Sequence, residues 1–180
     1  MSDLLIKQDP NDLARDLVRS DHPLLRKKMD NFDFSNPPFD PVKLTHIMAQ
    51  SCIKHNGLGL SAPQIGLPFR CSIITGTQMI CMFNPRIVSY GEEEMTMEEG
   101  CLSFPNLFLK IKRPLVIRVR FTLPNGATET RQFDGLTSRV VQHEIDHLDG
   151  ILFTSRANPV HLKQGYTRKK KLERQLKKET

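Results

Sequence analysis

The sequence predicts an α+β fold, on three observations. Runs of β-type patterning occupy the middle of the chain. Two or three helical stretches stand apart from those runs. The length of 180 residues, with 38% apolar side chains, suits one core with at most a tail.

Residues 1–40 are polar, carry several prolines and are expected to wrap the surface. Within them Asp9-Pro10 predicts a short helix through Val18, with Leu13 and Leu17 one turn apart. Asp40-Pro41 is a stronger start signal. After it Leu44, Ile47, Met48 and Ile53 recur at helical spacing, and Asn56-Gly57 is the stop. The next segment, Gly57-Leu58-Gly59-Leu60-Ser61-Ala62-Pro63-Gln64-Ile65-Gly66, is too rich in glycine for the interior of an element.

From Arg70 the period changes, and residues 70–75 and 79–84 read as strands around Gly76. Pro114 to Leu123 alternates with β-branched residues, and Pro124-Asn125-Gly126 turns it into a partner strand at 127–133. Asp134 to Leu148 reads as a helix with Leu136, Val140, Val141 and Leu148 as apolar contacts, ended by Asp149-Gly150. Asn158-Pro159 then breaks the chain before a basic helix over 160–180. There are no internal repeats.

Charge divides the chain at the same place. Residues 161–180 hold eight of the 26 Lys/Arg and two of the 20 Asp/Glu, so this tail carries the whole net charge of +6. Residues 1–160 are left with 18 basic and 18 acidic groups. A neutral body disfavours sequence-specific nucleic-acid binding, while a basic tail can touch phosphate. No apolar run reaches the roughly 18 residues a membrane span needs. The N-terminal MSDLLIKQDPNDLARDL has neither signal nor transit character, so a cytoplasmic protein is expected.

Cysteines stand at 52, 71, 81 and 101, none in a C-x-x-C pair. Cys52, Cys71 and Cys81 lie in apolar surroundings and are expected to be buried filler. Cys101 differs: it sits in Glu99-Gly100-Cys101-Leu102-Ser103, beside a glycine and near a carboxylate.

The most informative string is Gln142-His143-Glu144-Ile145-Asp146-His147. Histidines four apart on a helix project from one face, so both imidazoles reach one metal ion. Glu144, next to the first, is placed to act on water as an unligated base. A third ligand is needed. A metzincin-type protease would have histidine at 153, where this chain has Phe153. Later carboxylates, Glu173 and Glu179, lie in the cationic tail. Cys101 upstream is the best-placed soft donor.

Three blocks in this order resemble the peptide deformylase family: Gly57 to Gln64, Glu99 to Ser103, and Gln142 to His147. A weaker flanking match runs from Asp21-His22-Pro23-Leu24-Leu25-Arg26 to about Phe153. Ser61 departs from the pattern, since many members have Ala there. The resemblance implies β-sheets packed around a central helix that carries the H-E-x-x-H motif. It implies a hydrolase that removes the formyl group from the N-terminal formyl-methionine of nascent polypeptides and releases formate. Its metal would be held by Cys101, His143 and His147. Fe(II) is the family's usual ion, and Zn(II), Ni(II) or Co(II) suit the same donors.

The same resemblance implies roles for other residues. Glu144 would take and return a proton. Gln64 and the Leu102 backbone N–H would stabilise the oxyanion. Leu58, Gly59, Met97, Leu136 and Val140 would wall the methionine pocket. Glu99 and Arg113 would pair to hold the segment around Cys101. Residues 1–160 would form the catalytic domain. The extended basic tail is not explained by the family pattern; because it carries all the net charge, the helix 161–180 is expected to meet the ribosome. An H-E-x-x-H metallopeptidase and a non-catalytic metal or ribosome-binding module are the rival readings.

Overall fold

The computed structural model describes residues 13–76 and 78–179. Helix α1 (Pro41–Lys54) starts where Asp40 accepts a hydrogen bond from the Lys43 N–H at 2.8 Å. It stops just before the predicted Asn56-Gly57, where Asn56 turns the chain with φ of 53°. Leu44, Ile47 and Met48 are buried, whereas Ile53 is exposed. Strand β1 (Gly59–Ser61) pairs with β2 (Cys71–Ile74), and β2 with β3 (Ile80–Tyr90). Strand β3 runs past Asn84-Pro85, where a register shift accommodates the left-handed Asn84. Its continuation pairs with β6 (Val116–Thr122), which turns through Pro124-Asn125-Gly126 into β7 (Thr128–Asp134).

These five strands form one antiparallel sheet in the order β1-β2-β3-β6-β7. A separate hairpin joins β4 (Glu94–Cys101) to β5 (Phe104–Pro114). Composition hides β4, whose sequence is mostly acidic and polar. Its partner sets it: Leu107, Leu109 and Ile111 of β5 alternate inward with the exposed Phe108, Lys110 and Lys112.

Helix α2 (Gly135–Leu148) lies between the sheet and the hairpin, so the expected central helix is present. Val141 and Ile145 pack on Ile74, Met82, Val119 and Phe121 of the sheet. Ten of its 14 residues are buried, and seven of those ten are polar or charged. No periodicity of apolar residues forecasts that burial. The polar side is buried because it meets the hairpin, and each polar group there needs a partner.

Two expectations are corrected. Asp9-Pro10 lies outside the described residues, and residues 13–18 are irregular, not helical. The stretch before α1 does more than wrap the surface. Leu25, Met29 and Phe32 are buried, and the Phe32 ring stands edge-on to Phe34, Phe69 and Phe83. Helix α3 (Pro159–Glu179) follows the predicted break and packs its first half on β5.

Candidate active site

Three elements build the site. The end of β4 delivers Cys101, where a register shift after Gly100 turns the hairpin. Helix α2 delivers His143 and His147, one turn apart, with ring centroids 5.0 Å apart. The segment after α1 delivers Gly59, Ser61 and Gln64. One ligand atom each from Cys101, His143 and His147 lies within 4.8 Å of the others, and Cys101 Sγ is 3.2 Å from His147 Nε2.

Glu99 sits two residues before Cys101 and therefore on the same face of β4. Its Oε2 accepts from His143 Nδ1 at 3.1 Å. A carboxylate only accepts, so Nδ1 carries a proton, which leaves Nε2 as the ring nitrogen that can face a metal ion. Arg113 donates to Glu99 through Nε at 2.7 Å and Nη2 at 3.0 Å, and Arg139 donates through Nη1 at 2.6 Å. Arg113 Nη1 also reaches Asp146 at 2.8 Å, and Arg156 closes on Asp146 from outside. The Glu99–Arg113 pair therefore exists and belongs to a larger buried lattice.

Arg139, Asp146 and Arg156 were invisible to spacing arguments, although Arg139 and His143 are four apart on one helix face. Burial opposes the charge on Glu99, but the hydrogen bonds from His143 and Arg113 and the Arg113 charge hold its carboxyl at about 2. Burial likewise opposes a charged His143, yet Cys101 and Glu99 raise it to about 10. His147 goes the other way: burial, then the His143 and Arg113 charges, pushes it well below the usual imidazole value.

This donor set fits a divalent cation. A cysteine sulfur and two imidazole nitrogens converge, and a carboxylate orients one ring. Among the described residues the cluster contains three donors, and Glu144 is not one of them. Glu144 is buried, and the Ser61 hydroxyl donates to its carboxylate. Burial pushes the Glu144 pKa up, with His143, Ser61 and Arg113 pulling against it. Ser61, the position that departs from the family pattern, is thus a partner of Glu144.

Gln64 is buried and firmly aimed. Its Oε1 accepts from the Ser61 N–H at 2.8 Å; its Nε2 donates to Ser103 Oγ at 3.2 Å and lies 3.7 Å from Cys101 Sγ. A cleft of about 470 Å³ opens over these groups. Leu58, Gly59, Leu102, Leu136 and Val140 line it, together with Gln64, Cys101, His143 and Glu144.

Leu58 and Leu136 are exposed apolar side chains, at 56% and 54%, and they face this cleft. Apolar surface left open around convergent polar groups is the mark of a binding pocket. Gly59 makes room: a Cβ there would stand 2.6 Å from both Glu144 Oε1 and Val140 Cγ1.

Met97 is the exception among the expected wall residues, because it does not line the cleft. It shares the β4 face of Cys101 but lies four residues back, about 13 Å along an extended strand. Phe104, Leu107 and Phe108 of β5 also line the cleft, and sequence reasoning missed them.

A buried thiol and two histidines poised for one cation, with a buried free carboxylate at a half-apolar cleft, define a mononuclear metallohydrolase. A profile of the family described as polypeptide deformylase matches residues 14–163. A peptide deformylase of Synechocystis sp. is 39% identical over 127 residues, covering 67% of this chain and 68% of the relative.

Among solved structures, a peptide deformylase from Synechococcus elongatus in complex with actinonin superposes with a TM-score of 0.79 at 29% identity. The superposition covers 91% of this chain and 88% of that one. A Met-Ala-Ser-bound class I type b peptide deformylase from Acinetobacter baumannii gives 0.74 at 26% identity, over 79% and 98% of the two chains. The chain belongs to the peptide deformylase family. Its activity is the metal-dependent removal of the formyl group from N-terminal formyl-methionine. Among the described residues no helix is long and apolar enough to cross a membrane.

Proposed function

We propose that deformylation runs on the residues gathered in this cleft. Cys101, His143 and His147 hold one divalent ion, which when bound polarises the formyl group and acidifies water. Glu144 takes a proton from the attacking water and delivers it to the leaving amine nitrogen. The Gln64 Nε2–H and the Leu102 backbone N–H donate to the oxygen that gains charge. Such a donor contributes about 3 kcal/mol to the transition state. Leu58, Gly59, Leu136 and Val140 seat the methionine side chain, and Phe104, Leu107 and Phe108 line the same cleft.

One observation carries this reading. Glu144 is buried with a raised pKa and stands at the same cleft as the three-donor cluster without belonging to it. The Met-Ala-Ser peptide in the Acinetobacter baumannii relative supports a methionine-first product in this cleft. The test is formate release from formyl-Met-Ala-Ser by anaerobically purified protein of measured metal content. Glu144→Gln keeps its metal and loses about 10²–10⁴ in turnover. Retained turnover would falsify the base assignment.

The ion is Fe(II) in the cell, and the same donors accept Zn(II), Ni(II) or Co(II) on exposure to them. Metal content of the anaerobic protein checks this. The substrate class, nascent formyl-methionyl chains, supports a cytoplasmic enzyme. Residues 1–160 act as the catalytic domain. The basic helix 161–180 docks on the ribosome through its charge run, Arg168-Lys169-Lys170-Lys171 with Arg174, Lys177 and Lys178. Removing those charges abolishes ribosome pelleting at low salt; unchanged pelleting overturns the docking.

A further inference from the structure

Arg168 lies on α3, outside the catalytic groups assigned above, yet its guanidinium reaches the cleft rim. Nη2 is 3.2 Å from Glu98 Oε1 and donates to the Phe108 carbonyl oxygen at 3.0 Å. Glu98 and Phe108 both line the substrate cleft. The helix can approach this closely because of Gly165. A Cβ there would stand 2.3 Å from Leu109 Cδ2 and 3.0 Å from the same Phe108 carbonyl oxygen. Mid-helix glycine is about 1 kcal/mol worse than alanine, so contact with β5, not helix propensity, explains this residue. Leu162, one turn earlier, packs with Leu107, Leu109 and Ile111 of that strand. Phe108 is in turn seated on Gly100, where a Cβ would meet its ring at 2.8 Å.

The charges around the rim are specific. Glu99 and Arg139 also line the cleft but are bonded to each other. Glu98 is half-exposed, with Lys110 opposite it across the hairpin. The cation in ion-pair contact with Glu98 is nevertheless Arg168.

We infer that Arg168 is a positioning residue for substrate selection: by holding the Phe108 main chain and neutralising Glu98, it sets the charge preference for residues that follow methionine. This rests on the reading that the cleft takes formyl-methionyl peptides.

The experiment compares kcat/KM for formyl-Met-Ala-Lys and formyl-Met-Ala-Glu, and for the corresponding pair with Lys or Glu directly after methionine. Arg168→Met leaves Glu98 unpaired and raises the Lys:Glu ratio about threefold at low salt, the scale expected of a half-exposed pair. The change lies in KM, and it vanishes at about 1 M salt, where screening acts within about 3 Å. Arg168→Lys keeps the wild-type ratio. Adding Glu98→Gln to Arg168→Met removes the shift.

A ratio unchanged in Arg168→Met, or an equal fall for every substrate, overturns the inference while wild-type formate release stands. If the wild type released no formate, the reaction assignment would be the failure. Calorimetric binding of Met-Ala-Lys and Met-Ala-Glu then still reads the rim: a Lys:Glu affinity ratio raised in Arg168→Met supports the inference, and an unchanged one refutes it.

Discussion

Glu99→Gln removes a charge and nearly preserves shape, which isolates what the carboxylate contributes. Glu99 is 5% exposed and receives four hydrogen bonds from Arg113, Arg139 and His143. A glutamine turns one of its two accepting ends into a donor, so at least one guanidinium or imidazole N–H meets another N–H. Removing one partner of a buried ion pair destabilises by about 3–5 kcal/mol. The fall of the Glu99 pKa from 4.5 to about 2 gives an independent figure, which converts to about 3 kcal/mol.

Glu99→Gln should therefore lower the urea midpoint by about 1–3 M at pH 7, with an unchanged slope. The sign with pH is fixed. A depressed carboxyl pKa stabilises the fold above about 4.5, and that contribution is lost as pH falls towards about 2. The gap between wild type and variant should close over that range. Metal affinity, read by competition with a chelator, should fall about 10- to 100-fold because the His143 ring loses its orienting acceptor. A midpoint within about 0.3 M of wild type, or a gap equal at pH 7 and pH 3, refutes the reasoning.

Gly59→Ala drives a methyl group to 2.6 Å from Glu144 Oε1 and Val140 Cγ1. It should cut formate release at least about 100-fold while metal content holds, and normal turnover would show that Glu144 need not stay where it is. Cys52 is fully buried, and burial, then the Glu144 charge, pushes its thiol from 9.0 to about 11. A raised acid pKa stabilises below about 9 and loses its effect as pH climbs to about 11, so Cys52→Ala should flatten the alkaline fall in stability between those values. Asp40→Ala removes the N-cap bond to Lys43, at about 1 kcal/mol. Its thermal midpoint should drop by about 2–4 °C with kcat unchanged, and a larger drop would mean that Asp40 does more than cap.

Several features were legible because their physics is local. Asp40-Pro41 starts a helix through its own side chain and ring. Pro124-Asn125-Gly126 turns between strands whose alternation is visible. His143 and His147 share a face because a helix turns every 3.6 residues. The glycine-rich block and the Cys101 block were readable as sequence, and so was their resemblance to the family.

The remainder depends on contacts between distant parts of the chain. Strand β4 has no strand-like composition and is extended because β5 pairs with it in register. The polar residues of α2 look like a solvent face until the hairpin covers them, and only then do Arg113, Arg139 and Asp146 become a lattice around Glu99. Met97 and Phe108 illustrate the same limit. Residue type admits both to a methionine pocket, but only the folded hairpin puts Phe108 on the cleft wall, with Gly165 of α3 bringing the helix against it. Sequence by itself determined the candidate donors, the candidate base and the helix that spaces two of the donors, because bonding chemistry and helical period reside in the residues. Tertiary structure alone decided which walls, charges and carbonyls surround them, because those are fixed by segments that meet only once the chain has folded.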